Sequence, residues 1–424
     1  MHCCTRDLLA MGDAPVPEEI EASEQCFDFC FHPTADFLAA GLVDGAVELY
    51  QYGLGAQANK LVMKCKHSEE GGSCRGILFN PTGTVLYAIS SDRSLQVIDH
   101  RGQLTKSYEN SHKDAVNKLF HLTDNILATG CDSGEVKIWD VRTEQGEVMS
   151  WHLHEDFVSG FAFSEEKSTL LSVAGDATLC AYDLRSAANT FRSDDQEAEL
   201  QCVEIIKGGR KIACGTQDGI LLIFSWDKWG DCSDRYPGHP ESLDCLLKLD
   251  EATLLTGSSD GLIRCVTVQP NNMLGVIGDH EDFPVEQIRR DRLGRLLGSI
   301  SHDNVVRFWD ISMFADDVMD ADEDGKVGDD DDDDDEDDDE DEEGGDMEAG
   351  DDAGEGDEDG AETGVDDDGD AQAAIMADDG NSTPFDSGSD DDDDDDSDAG
   401  GSSRQPAGGR RTLKTASEKF YKDL

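Results

Sequence analysis

Apolar and polar residues alternate with a period of two through most of the first 315 positions, and the alternation restarts at nearly constant intervals. One phrase recurs seven times: an apolar strand, a turn, an apolar run ending in small residues, an Asp-containing turn, then an alternating strand closed by an aromatic or apolar residue. The clearest copy is LLGSISHDNVVRFWDI at 296–311. Its relatives include FLAAGLVDGAVELYQY (37–52), ILATGCDSGEVKIWDVR (126–142) and LLTGSSDGLIRCVTV (254–268). Aligned on the closing position, the copies fall at Tyr50, Ile98, Trp139, Tyr182, Phe224, Val266 and Trp309, with gaps of 41 to 48 residues. Six positions earlier stand Asp44, Asp92, Asp176, Asp218, Asp260 and Asp303; the third copy has Ser133 there, with Asp132 beside it. A period of two turns one side of each strand inward, and Gly or Asp-Gly pairs supply the positive φ of tight turns. A single four-stranded sheet cannot cover both of its faces. Seven such sheets packed radially cover one another and leave only short edges. The expected fold is therefore all-β: a seven-bladed β-propeller over residues 18–315, behind a flexible N-terminus of residues 1–17.

The copies resemble WD repeats, with Trp-Asp pairs at Trp139-Asp140 and Trp309-Asp310. That resemblance implies a hydrogen-bonded structural tetrad of His280, Ser299, Asp303 and Trp309 in the last copy. It implies a partial one of His112, Thr129 and Trp139 in the third, where Ser133 replaces the expected Asp. In the other copies the Trp position holds Tyr, Ile, Phe or Val, and packing is expected to do the work instead. The last copy ends near its third strand, so residues 18–24 (EEIEASE) are expected to supply the missing outer strand and clasp the first and last blades.

Composition divides the chain in two near Met313. The formal net charge is −62. Residues 316–400 hold 45 acidic residues against one Lys, whereas 401–424 carry six Lys/Arg and two acids. Residues 331–340 are ten consecutive acids. Such a run repels itself and buries nothing, so it cannot offset an ordering entropy of roughly 1–2 kcal/mol per residue. A disordered acidic tail over 316–400 and a basic C-terminal peptide over 401–424 are expected. The thirteen cysteines form no CxxC pair, and most lie in apolar strand-like runs, where a free thiol acts as a small hydrophobe. With no signal-like apolar stretch at the start, reduced thiols and an intracellular setting are expected. No run of about 18 apolar residues marks a membrane span. Lipidation of Cys3 or Cys4 is disfavoured, because His2 follows the initiator where myristoylation needs Gly.

Longer stretches narrow the resemblance. FHPTADFLAAG (31–41), GDCSDRYPG (230–238), SLDCLLKLDEATLLTGSSDGLIR (242–264) and the terminal Phe-Tyr-Lys-Asp-Leu are similar to the WD repeat-containing protein 55 family and its plant and fungal relatives. The resemblance covers about 25–313 and the final five residues. It implies a nuclear and nucleolar protein acting in ribosomal RNA processing and ribosome biogenesis. For plant members it also implies substrate receptors of cullin-RING ubiquitin ligases.

No enzyme is expected, and no cofactor or metal. The histidines at copy starts (His67, His112, His154, His239, His280) lie at least 41 residues apart, so none needs to converge with another, and structural hydrogen bonding explains them. No nucleophile–base spacing, phosphate loop or HExxH occurs. Asp320 to Gly325 begins like a calcium loop, but Asp-rich sequence gives such matches at random and the bidentate Glu is missing. Three adjacent copies end in Asp-x-Arg, at Asp99/Arg101, Asp140/Arg142 and Asp183/Arg185. The last two pairs resemble the endings through which WD-repeat receptors dock on a cullin-ligase adaptor; the alternative is a local bond between Arg and its own Asp. Ser387, Ser389 and Ser397, beside Asp runs, read as sites for acidophilic kinases. The tail is expected to attract basic ribosomal or assembly proteins, or histones in an acidic-chaperone role, and to repel nucleic acid. The basic end reads as a docking peptide or an import signal. The expected whole is a protein-binding scaffold, monomeric within larger complexes, in the nucleus and nucleolus with possible cytoplasmic presence.

Overall fold

The computed structural model describes residues 15–55, 59–66, 71–281 and 283–315. His67, the calcium-loop-like segment, Ser387, Ser389, Ser397, Cys3, Cys4, the acidic stretch and the basic end all lie outside the described residues.

Twenty-eight strands form seven four-stranded antiparallel sheets, each a blade of one propeller. The innermost strands, blades 1 to 7, are Cys26–Phe31, Cys74–Phe79, Val116–Thr123, Val158–Ser164, Leu200–Ile206, Leu243–Lys248 and Gln287–Arg290. Among the described residues the only helical element is a single turn, Ser312–Phe314. Six blades are built from consecutive strands. The seventh takes its outer strand from the front of the chain: Ile20–Glu21 pairs with Val305–Asp310, Ile20 opposite Val306 and Glu21 opposite Val305. That pair lies within the segment expected to close the ring. Glu19 and Arg307 add an ion pair at 3.2 Å across the same joint.

The apolar core follows the geometry of the ring. It divides into seven clusters, and each spans the seam between two neighbouring blades. At the closing seam, for example, Phe29, Leu38 and Leu42 of blade 1 pack with Ile20, Ile300 and Val306 of blade 7. No blade shields itself, which is the repeat-protein logic that made seven copies necessary.

Polar stitches run down the same seams, beside the central channel. Asp28 accepts the Ile77 amide at 2.9 Å, and Arg75 grips Asp132 at 2.9 Å. Asn117 donates to the Val158 carbonyl at 3.1 Å, and Ser159 to that of Leu200. The thiols of Cys202 and Cys245 donate to Leu243 and Val285 carbonyls at 3.2 and 3.4 Å. Arg289 returns to Asp28 at 2.9 Å and completes the circuit. Six innermost strands carry a bulge at their start (for instance between Cys26 and Asp28), which turns an extra residue toward the channel.

Candidate protein-interaction surfaces

The tetrad residues are scaffold rather than surface. In blade 7, His280 Nε2 lies 2.6 Å from Ser299 Oγ, and Trp309 Nε1 donates to the same oxygen at 2.7 Å. Asp303 stands farther off: its Oδ2 is 3.8 Å from His280 Nδ1 and only 2.9 Å from Arg307. The carboxylate expected to serve the histidine has turned to the stronger cation. Blade 3 corrects the expectation in the other direction. His112 Nε2 meets Thr129 at 2.7 Å, and Trp139 donates to that Thr at 2.7 Å. Glu135, two positions after Ser133, then brings a carboxylate to 3.2 Å from His112 Nδ1. The network there has four members, because the longer Glu side chain reaches back from the next strand.

Blade 4 holds a network where packing alone was expected. His154 binds Asp176 at 3.2 Å and Ser172 at 2.6 Å, and Ser172 meets the Tyr182 hydroxyl at 3.2 Å. The signal was present in the sequence as a Tyr at the Trp position with His, Ser and Asp at matching offsets. In blade 6, His239 reaches Thr256 at 2.9 Å, while Val266 contributes only bulk. Burial pushes His112 down to about 3 and both His239 and His280 down to about 4, so these rings are neutral struts at neutral pH. His112, Cys131 and Glu135 do lie within 4.8 Å of one another, but both nitrogens of His112 are already engaged in the network.

Buried thiols are similarly inert. Desolvation pushes Cys30 and Cys180 up to about 12, and Cys65 and Cys265 to about 11, far from thiolate at neutral pH.

Two concave surfaces stand out among the described residues. The first is the channel, a cavity of about 570 Å³ lined by all seven innermost strands. Phe27, Arg75, Asn117, Ser159, Gln201, Asp244 and Glu286 sit at the starts of those strands and ring one mouth. Deeper in, burial raises the Glu204 carboxyl to about 7, with the nearby Lys248 charge opposing. The second is a groove of about 410 Å³ between blades 4 and 5, floored by Trp226, Trp229 and Phe191. Lys167 Nζ sits 3.7 Å over the Trp226 ring, and Trp226 and Trp229 pack edge-on at 5.0 Å.

Arg185 borders this groove. Its guanidinium forks onto Asp183 at 2.8 and 3.0 Å, and Arg142 forks onto Asp140 at 2.9 Å through two nitrogens. Each Arg is thus tied to its own Asp, the local bond weighed against docking. The tie fixes the fork but leaves it accessible: the side chain of Arg185 is 61 % exposed and that of Arg142 39 %. Arg101 differs, since its backbone amide, rather than a guanidinium fork, is what binds Asp99 at 2.9 Å.

A family model described as WDR55 matches residues 17–314, which is the whole ring including its closing strand. The chain belongs to the WDR55 family. Among its relatives, WD repeat-containing protein 55 of Arabidopsis thaliana is 38 % identical over 295 residues, covering 69 % of this chain and 82 % of that one. The rat protein of the same name is 34 % identical over 305 residues, covering 72 % and 79 %. WD repeat-containing protein JIP5 of Coprinopsis cinerea is 36 % identical over 318 residues, covering 72 % and 77 %. A chain of a crystal structure of the mitotic checkpoint complex superposes with a TM-score of 0.63 at 15 % identity, covering 73 % of this chain and 96 % of that one. At that identity the likeness concerns the fold alone. As a WDR55-family WD-repeat propeller, the ring is a protein-interaction scaffold.

Proposed function

We propose that this chain is a non-enzymatic scaffold of the nucleus and nucleolus that supports ribosomal RNA processing and ribosome biogenesis by gathering basic ribosomal or assembly proteins. The observation that carries the reading is the WDR55-family match across residues 17–314. The acidic composition of the chain supports it, because a polyanion captures cationic proteins before they aggregate or bind elsewhere. Fold alone names no partner. Gradient sedimentation of cell extracts tests the reading: the chain should travel with pre-ribosomal particles and leave them as salt is raised. Persistent recovery in light fractions at low salt overturns it.

A second reading is a substrate receptor of a cullin-RING ligase. The exposed, pre-oriented forks of Arg142 and Arg185 on neighbouring blades favour it, since a planar guanidinium can pair two acceptors on a partner at once. Charge reversal of both should abolish co-purification of the adaptor from a chain that still folds. Unchanged recovery sinks that reading.

A further inference from the structure

The two ends of the ring differ in charge. In each antiparallel blade, the turn between second and third strands emerges at the same end as the connection from the outer strand to the next blade. Among the described residues, the seven such turns hold seven Asp and one cation, Arg93. The connections hold twelve carboxylates and one cation, Lys113. That end therefore presents nineteen carboxylates against two cations. The loops at the other end hold ten carboxylates and nine cations, close to balance.

Strand cations neutralise part of the acidic end. Lys66, Arg75, Arg192, Arg264 and Arg307 pair with Asp44, Asp132, Asp176, Asp260 and Asp303. What remains is spread around the ring: Glu24, Glu109, Asp114 and Asp156 lie over the other seams, and a larger share lies over blades 5 to 7. Asp194, Glu199, Asp218, Glu241 and Glu281 have no cationic partner among the described residues. The channel mouth opens beside them. There Asp244 accepts hydroxyls from Ser242 and Ser259 at 2.6 and 2.7 Å but meets no cation. Among the described residues, the one ion-pair partner of Glu286 is the half-exposed His302 at 2.7 Å. Phe27, 39 % exposed, lies on the next blade along the same rim. Burial first, and then the charge of Glu286, raise the Asp244 carboxyl against the two serine hydrogen bonds and His302, which lower it. Lys118, one step along the wall on blade 3, also lines the channel.

We infer that this acidic end is the docking face for a basic, extended protein segment, which seats one lysine or arginine side chain between Asp244 and Glu286 against Phe27. Carboxylates around a narrow low-dielectric mouth concentrate field on an incoming cation, and the aromatic rim covers its aliphatic stem. Nucleic acid is repelled from this face by the same charges. The inference rests on the scaffold reading only in taking a protein as the partner.

The test uses the full-length chain and a short peptide of alternating arginine and glycine carrying a photoreactive group. Cross-links should map to 193–199, 238–242 and 280–286. Asp244→Asn with Glu286→Gln should cut their yield about tenfold. Glu286→Gln alone, which leaves the two serine bonds to Asp244 intact, should cut it about threefold with an unchanged melting temperature. Cross-links confined to the other end of the ring or to 316–400 overturn the docking face, as does a yield indifferent to these variants. Sedimentation with pre-ribosomal particles reads the scaffold role separately, so either can fail alone.

Discussion

Arg289 of blade 7 donates through Nη2 to both carboxylate oxygens of Asp28 on blade 1, at 2.9 and 3.2 Å, across 261 residues of sequence. Asp28 also accepts the amides of Phe29 and Ile77, each at 2.9 Å. One buried carboxylate therefore binds blade 7, its own strand and blade 2. The two partners should not be equivalent on removal. Asp28→Ala strands a guanidinium and two amides, and should cost about 3–5 kcal/mol. Arg289→Met leaves the carboxylate its two backbone donors and should cost less, about 1–2 kcal/mol. Urea denaturation of both variants measures the order. Equal losses would mean that Asp28 is not the shared acceptor.

Glu135 replaces the absent Asp of blade 3 in function but not in position. Glu135→Ala should destabilise the ring by about 1–2 kcal/mol, the loss of one buried charged hydrogen bond. Adding Ser133→Asp to that variant should restore most of it, because the carboxylate returns to the turn position used by blade 4. Thermal melts of the two variants decide the matter; no rescue by Ser133→Asp contradicts the network.

Closure depends on two residues of strand. Ile20 is buried and packs with Ile300 and Val306 at the joint. Ile20→Asp places a charge in that cluster and should cost about 3 kcal/mol or more. Hydrogen exchange should accelerate first in Val305–Asp310, the strand it covers. Uniform acceleration around the ring would argue that closure has no local seat.

Acidity should act through two opposed sets of groups. The folded values of His112, His239 and His280 lie at about 3 to 4, below the ordinary histidine value. As pH falls from about 6.5 toward 4, the unfolded chain takes up protons that the folded ring refuses, and stability drops. Glu204 works the other way, because its folded value is raised to about 7. Between about 4.5 and 7 the folded state holds a proton that the unfolded chain has lost, so this residue lowers stability as pH rises. Glu204→Gln should stabilise the ring at pH 8 by on the order of 2 kcal/mol and leave it unchanged near pH 4. A benefit that does not grow with pH would contradict the buried carboxyl.

Much of this ring could be read from the chain. The seven closing positions, Tyr50 to Trp309, all fall in third strands, because one phrase with a near-constant period leaves little freedom to place them. The Ile20–Glu21 closure was legible as a shortfall, since the last copy lacks a fourth strand. Side-chain reach was not. Glu135 sits outside the motif position, and only the antiparallel turn brings it back to His112. Asp303 keeps the motif position but answers to Arg307, a competition that spacing does not express. Cysteines in apolar runs read as small hydrophobes, yet Cys202 and Cys245 each also bridge a seam through the thiol. The charge difference between the two ends lay in the turn Asp and, more, in the acids of the blade-to-blade connections, and it became visible only when the topology showed which loops share an end.

The scaffold claim is met most directly by affinity purification of the full-length chain beside its Asp244→Asn/Glu286→Gln and Arg142→Glu/Arg185→Glu forms, with the bound proteins identified by mass spectrometry. The unaltered chain should retain basic ribosomal and assembly proteins, and the rim variant should lose a defined subset of them while remaining folded. Three identical eluates, free of ribosomal and assembly proteins, would contradict the scaffold claim.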